Sequence, residues 1–148
     1  MVIDSSAIIA ILNLEPEAEA FTAVIQDDPI CLLSTGNALE LAILVKARKE
    51  EAGLRELDFF IYKAGIEIVS FNKQQLNLAR HAFAEYGKGR HPANLNFGDC
   101  FAYALSKTSG QPLLFKGGDF VKTDLIAALD TSSSVASDSS KILKHDQE

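Results

Sequence analysis

Short apolar runs alternating with helix-patterned segments predict an α/β fold, a central parallel sheet of four or five strands covered by helices on both faces. Two observations carry this. The apolar runs Val2-Ile3, Ile30-Cys31-Leu32-Leu33, Ile66-Glu67-Ile68-Val69 and Leu113-Leu114-Phe115 are each followed by helical or turn chemistry. Acids fall just beyond the first and fourth runs, at Asp4 and Asp119, where open sheets of this class form their ligand crevice.

Taken in order, Asp4-Ser5-Ser6 supplies capping oxygens for a helix over 7–13. Glu15-Pro16-Glu17 is expected to open a second helix, because proline suits a first turn. After the second strand, Ser34 or Thr35 caps a third helix running to about Lys49, and Gly53 marks a break before a helix over 54–63. Gly65 leads into the third strand. Leu76, Ala79, Phe83 and Tyr86 recur at helical spacing over 73–86. Residues 86–92, with two glycines and a proline, are loop chemistry. Gly98-Asp99 is expected to start a helix over 100–108, and Gly110-Gln111-Pro112 turns the chain into the fourth strand.

The 148 residues are 47% hydrophobic and 23% charged, enough for one domain with a substantial core. That domain is expected over 1–129, with a polar, disordered tail over 130–148. No apolar run reaches the about 20 residues that cross a bilayer, and Met1-Val2-Ile3-Asp4 does not resemble a secretory leader. Cys31 and Cys100 form no metal-ligand spacing. These features point to a cytoplasmic protein. A net charge of −6 argues against a protein that coats nucleic acid without discrimination, but not against an enzyme that touches one phosphodiester.

Four acids carry the chemistry. Asp4 and Asp99 have an ordinary alternative as helix caps, and Asp119 as a turn residue. Glu40 is harder to dismiss. It shares a helical stripe with Ile43 and Leu44, while Lys46 and Arg48, six and eight residues on, are badly spaced to pair with it. Carboxylates gathered in one place repel each other unless a cation neutralises them. An all-oxygen donor set suits Mg²⁺ or Mn²⁺ rather than Zn²⁺.

These residues resemble a known family. Val2-Ile3-Asp4-Ser5-Ser6-Ala7, Ala38-Leu39-Glu40 and Asn96-Phe97-Gly98-Asp99-Cys100-Phe101-Ala102-Tyr103-Ala104 match the PIN-domain pattern. The string from Tyr86 to Asp99, and Leu113-Leu114-Phe115-Lys116-Gly117 before Asp119-Phe120, look like the VapC toxins of bacterial toxin–antitoxin pairs. The resemblance implies a three-layer α/β/α fold, metal-dependent endonucleolytic cleavage of RNA, a cognate antitoxin and a homodimer. Family roles carry onto Asp4, Glu40 and Asp99. For the fourth acid Asp119 fits best, Gly118 stands where relatives often have an acid, and Asp124 is the substitute. Ser6 matches a hydroxyl that supports the first aspartate or the scissile phosphate.

The mechanism implied is in-line attack of a metal-activated water on a phosphodiester. Asp4 and Asp99 would be principal ligands, Glu40 a water-mediated ligand or base, and Asp119 the holder of a second, weaker ion or a group that tunes the first. Over 86–123 five cations face two acids, a net +3 around the site, and Lys88, Arg90 and Lys116 are candidate phosphate contacts. His91 is read as structural, and Phe97, Phe101 and Tyr103 as core rather than a base-stacking platform. Segments 21–25 and 54–62 suit a dimer face, an antitoxin groove or plain core packing. Two rivals remain: a phosphatase with Asp4 as nucleophile, although Ser6 stands where its second acid belongs, and a non-catalytic binding module.

Overall fold

Alternation at the centre of the sheet decides the layers. The computed structural model describes residues 1–130, and there Val2 packs into one apolar cluster and Ile3 into the other. Leu113 and Leu114 divide in the same way, as a period of two requires. The element order is β1 (Val2–Ile3), α1 (Ser5–Leu12), α2 (Ala18–Asp27), β2 (Leu32–Ser34), α3 (Thr35–Lys63), β3 (Glu67–Val69), α4 (Lys73–Tyr86), α5 (Phe97–Ser109) and β4 (Leu113–Leu114). The four strands are parallel in the order β3-β2-β1-β4, with Val2 in register with Leu32 on one side and Leu113 on the other. A single parallel bridge from Leu113 to Ala127 marks a fifth position at the β4 edge. Helices α1, α2 and α3 cover one face through Ile8, Phe21, Ile25, Leu41, Val45 and Leu57. On the other face α4 and α5 pack through Ala82, Ala102, Tyr103 and Leu105. This is the expected three-layer α/β/α arrangement with a four-stranded parallel sheet.

Several boundaries differ from the expectation for physical reasons. The second helix begins at Ala18, because Leu14 takes a left-handed φ of 52° and residues 15–17 form a turn closed by Ala18 N–H on the Glu15 carbonyl. The break in α3 lies at Glu50 (φ 51°, ψ −140°), not at Gly53. Gly53 serves close approach instead, since a Cβ there would lie 2.6 Å from the Val45 carbonyl oxygen. Helix α5 starts earlier than expected, at Phe97, because Asn96 and Asp99 build a capping box. The expected polar tail, apart from Asp130, lies outside the described residues. Among the described residues no helix is long and apolar enough to cross a membrane.

Candidate active site

Because all four strands run the same way, the segments leaving β1, β2 and β4 emerge at one end of the sheet. Asp4 leaves β1 and caps α1, with its Oδ2 accepting from Ser6 N–H at 3.0 Å. It is buried. The Ser6 hydroxyl in turn accepts from Lys116 N–H at 3.0 Å, which ties the segment after β4 to the turn that carries Asp4. The ordinary role holds, since Asp4 is a helix cap, and it is a cap sealed from water.

Ser34 leaves β2 and caps α3 by accepting from Gly36 N–H, which sets Asn37 inward and brings Glu40 one turn on. Glu40 is half-buried, and its carboxylate lies against Gly98, so a Cβ at 98 would run into it. Glycine at 98 leaves the Glu40 carboxylate room to rest there, and a side chain at 98 would make it swing away. The expected reason for Glu40 is corrected in one respect. Ile43 and Leu44 on its stripe are exposed, and the buried face of this half of α3 is Asn37, Leu41 and Val45. A stripe read from sequence marks an apolar face, and only packing decides whether that face is covered.

Asp99 follows Gly98 and sits three residues into the capping box. Its Oδ2 accepts from Asn96 N–H at 2.9 Å, and its own N–H donates to Asn96 Oδ1 at 3.0 Å. A carboxylate at a helix N-terminus is ordinarily stabilised in its charged form. The opposite holds here. Burial pushes Asp4 up to about 6, against the hydrogen bonds from Ser6 and with a further push from the charge of Glu40. Asp99 is pushed up to about 7 by burial, opposed by its bond from Asn96, and then by repulsion from Asp4, Asp119 and Glu40. The field reaches Cys100, whose thiol is raised to about 11 by burial and the Asp99 charge. Acids from three other segments thus bear on Asp99, and one of them, Glu40, also on Asp4.

The fourth acid is distinguished by its partners. Asp119, exposed in the turn after β4, adds to the negative field at Asp99. Asp124 is occupied elsewhere, accepting from the Tyr103 hydroxyl at 2.8 Å and pairing with Lys107. The surrounding cations are less available than a count along the chain implies. Lys116 is paired with Glu15 at 3.0 Å and Glu17 at 3.3 Å, and Lys122 donates to the Pro92 carbonyl at 3.3 Å. These partners lie outside the counted stretch or are backbone, so the net +3 overstates the local field. Lys88 and Arg90 stand exposed on the loop between α4 and α5. His91 has the structural role expected of it, its Nδ1 accepting from Ala93 N–H at 3.0 Å.

A hard divalent cation fits the chemistry of this donor set. The acids offer only oxygens, and the two most buried ionise only above the usual carboxylate range, so a positive partner favours their charged forms. Among the described residues no three His, Cys, Asp or Glu side chains stand arranged as a metal-binding group. Mg²⁺ tolerates that, because it keeps several waters and needs only one or two direct carboxylates. The aromatic expectation is corrected in part. Tyr103 is core, but Phe97 is 80% exposed. With Phe71, Phe83, Arg90 and Phe101 it lines an apolar groove between α4 and α5. Its position in the first turn, outside the α4 contact, is what leaves it uncovered. Of the two amphipathic segments, Phe21, Ile25 and Leu57 are core, whereas Phe59 and Tyr62 are exposed.

The PIN domain family matches residues 1–126. Ribonuclease VapC30 of Mycobacterium tuberculosis is 52% identical over 125 residues, which is 84% of this chain and 95% of the relative. Ribonuclease VapC of Mycolicibacterium smegmatis is 51% identical over 127 residues, 86% of this chain and 98% of the relative. Among solved structures, the sarcin–ricin-loop-cleaving toxin VapC20 of Mycobacterium tuberculosis superposes with a TM-score of 0.69 at 13% identity, over 84% of this chain and 95% of that one, a likeness of fold. The DNA-bound VapBC of Salmonella typhimurium gives 0.66 at 16% identity, over 85% and 93%. On its sequence, its parallel sheet and the acids gathered at one end of it, this chain belongs to the PIN-domain family, among the VapC ribonucleases.

Proposed function

We propose that this protein is a metal-dependent endoribonuclease, the toxin of a toxin–antitoxin pair, acting in the cytoplasm on RNA through its 1–129 domain. The observation that carries the reading is the meeting, at one end of the parallel sheet, of Asp4 leaving β1, Glu40 resting on Gly98 and Asp99 beside that glycine, where burial lifts Asp4 to about 6 and Asp99 to about 7 and the neighbouring acids add to the push. Asp4 and Asp99 are the residues to hold Mg²⁺ or Mn²⁺, with Glu40 and Asp119 beside them. When bound, such an ion lowers the pKa of water and offsets charge at the phosphorus. The protein's own share is positioning. Glu40, fixed against Gly98, takes the proton from the attacking water as its oxygen joins phosphorus and the ester bond to the leaving sugar oxygen breaks. Ser6 holds the Asp4 turn in place through its bonds to Asp4 and Lys116. Lys88 and Arg90 meet flanking phosphates, and Lys116 joins them on exchanging its glutamate partners for phosphate.

A cognate antitoxin and a second copy of the chain are the proposed protein partners. Exposed Leu39, Ile43 and Phe97, close to Glu40 and Asp99 in sequence, support association on this side of the molecule. The test is cleavage of RNA by purified protein with Mg²⁺ or Mn²⁺, its loss in EDTA, and its loss in Asp99→Asn that stays folded. Intact RNA under all conditions would favour a binding module. Hydrolysis of a phosphomonoester with RNA left intact would favour a phosphatase.

A further inference from the structure

Asn37 is fully buried in the first turn of α3, and its side chain is an expensive one to place there. Its Nδ2 donates to the Gly98 carbonyl at 2.9 Å. Its own backbone carbonyl accepts from the Ser5 hydroxyl at 3.5 Å. Ser5 follows Asp4, Gly98 precedes Asp99, and Glu40 lies one helical turn beyond Asn37. One residue therefore links the three segments that carry the three central acids. Its Oδ1 is buried with no hydrogen-bond partner among the described residues. Packing alone would be served better by an apolar side chain, since a half-satisfied buried amide keeps part of its desolvation cost.

We propose that Asn37 is the positioning residue of this site. Its amide fixes the first turn of α5 to α3, so that the Glu40 carboxylate rests on Gly98 and the spacing of Asp4, Glu40 and Asp99 is set before any ligand arrives. This rests on the metal-dependent reading above and extends it to a residue that touches neither substrate nor ion. Gly98 and Asn37 act as a pair, the glycine admitting the carboxylate and the amide holding the backbone that admits it.

The experiment is Mn²⁺ titration of the metal-free full chain by calorimetry, for wild type, Asn37→Ala, Asn37→Ser and Val45→Ala, with melting temperature and single-turnover cleavage alongside. Val45 is a core residue on the same face of α3 and controls for simple loss of packing. In Asn37→Ala, Mn²⁺ affinity falls about 10–100-fold, the usual effect of losing an outer-shell partner. The cleavage rate falls with it while the KM for RNA holds. Val45→Ala lowers the melting temperature and leaves Mn²⁺ affinity unchanged. If Asn37→Ala does not fold, Asn37→Ser, which keeps a donor, carries the same expectation in weaker form. Wild-type Mn²⁺ affinity in a folded Asn37 variant overturns the inference alone. Absence of Mn²⁺ binding by the wild type overturns the metal reading and the inference together.

Discussion

Asp4 is where burial and charge conflict most openly. Its carboxyl is raised from 3.8 to about 6, chiefly by burial. A folded-state pKa above the unfolded value means that protonation favours the fold. The stability this gives is complete below about pH 4 and is lost as pH rises through about 6, and for Asp99 through about 7. Metal-free Asp4→Asn should therefore melt higher than metal-free wild type at about pH 8, with the difference closing by about pH 4, in parallel thermal melts. Its RNA cleavage should fall about 10²-fold or more, because charge stabilisation at the phosphorus is lost. A variant no more stable than wild type at alkaline pH would show that the buried Asp4 charge does not burden the fold.

Helix α3 shows how an element is divided between stability and chemistry. Its first half, 35–49, carries Asn37 and Glu40, and its second, 51–63, closes back on it across Glu50. Gly53 makes that closure possible, because a Cβ there would lie 2.6 Å from the Val45 carbonyl oxygen and 2.9 Å from Lys49 Cβ. Gly53→Ala should cost about 1–3 kcal/mol of unfolding free energy in a denaturant titration, the range for overpacking. Cleavage well below the melting temperature should stay near the wild-type rate, since Glu40 lies in the other half. A large loss of rate with the fold intact would mean that the two halves are coupled at the site. Helix α5 couples the two tasks more tightly, because the residue that caps it, through the Asn96–Asp99 box, is also one of the acids.

For the molecule as a whole, net charge is −6, so substrate must be held by local cations and by whatever neutralises the acids. Mn²⁺ should raise the melting temperature, and by more at about pH 8 than at about pH 5, where the acids hold their own protons. At a hundredfold excess over Kd the gain is about 2.7 kcal/mol. A pH-independent shift, or none, would count against the cluster as the binding site. Lys88→Ala and Arg90→Ala should each weaken RNA binding and flatten its salt dependence by about 0.7 in log–log slope per lost contact to a single strand. Measured at several salt concentrations, an unchanged slope would remove that residue from the phosphate path.

The order of strands and helices was legible along the chain, and so were Asp4, Glu40 and Asp99 as candidates. Apolar alternation, capping residues and turn glycines are local, and the three acids sit in recognisable strings. The partners of Asp124 were not legible, since only folding brings Tyr103 and Lys107 to it. The same is true of Lys116, paired across the chain with Glu15 and Glu17, of the exposed Phe97, and of the kink at Glu50 rather than Gly53. Asn37 carried no local signal, because its meaning lies in Gly98 and Ser5, residues distant in sequence. Sequence determines which groups can ionise and where helices begin. Tertiary structure decides which of those groups lose their water and meet, because burial and charge repulsion depend on neighbours in space.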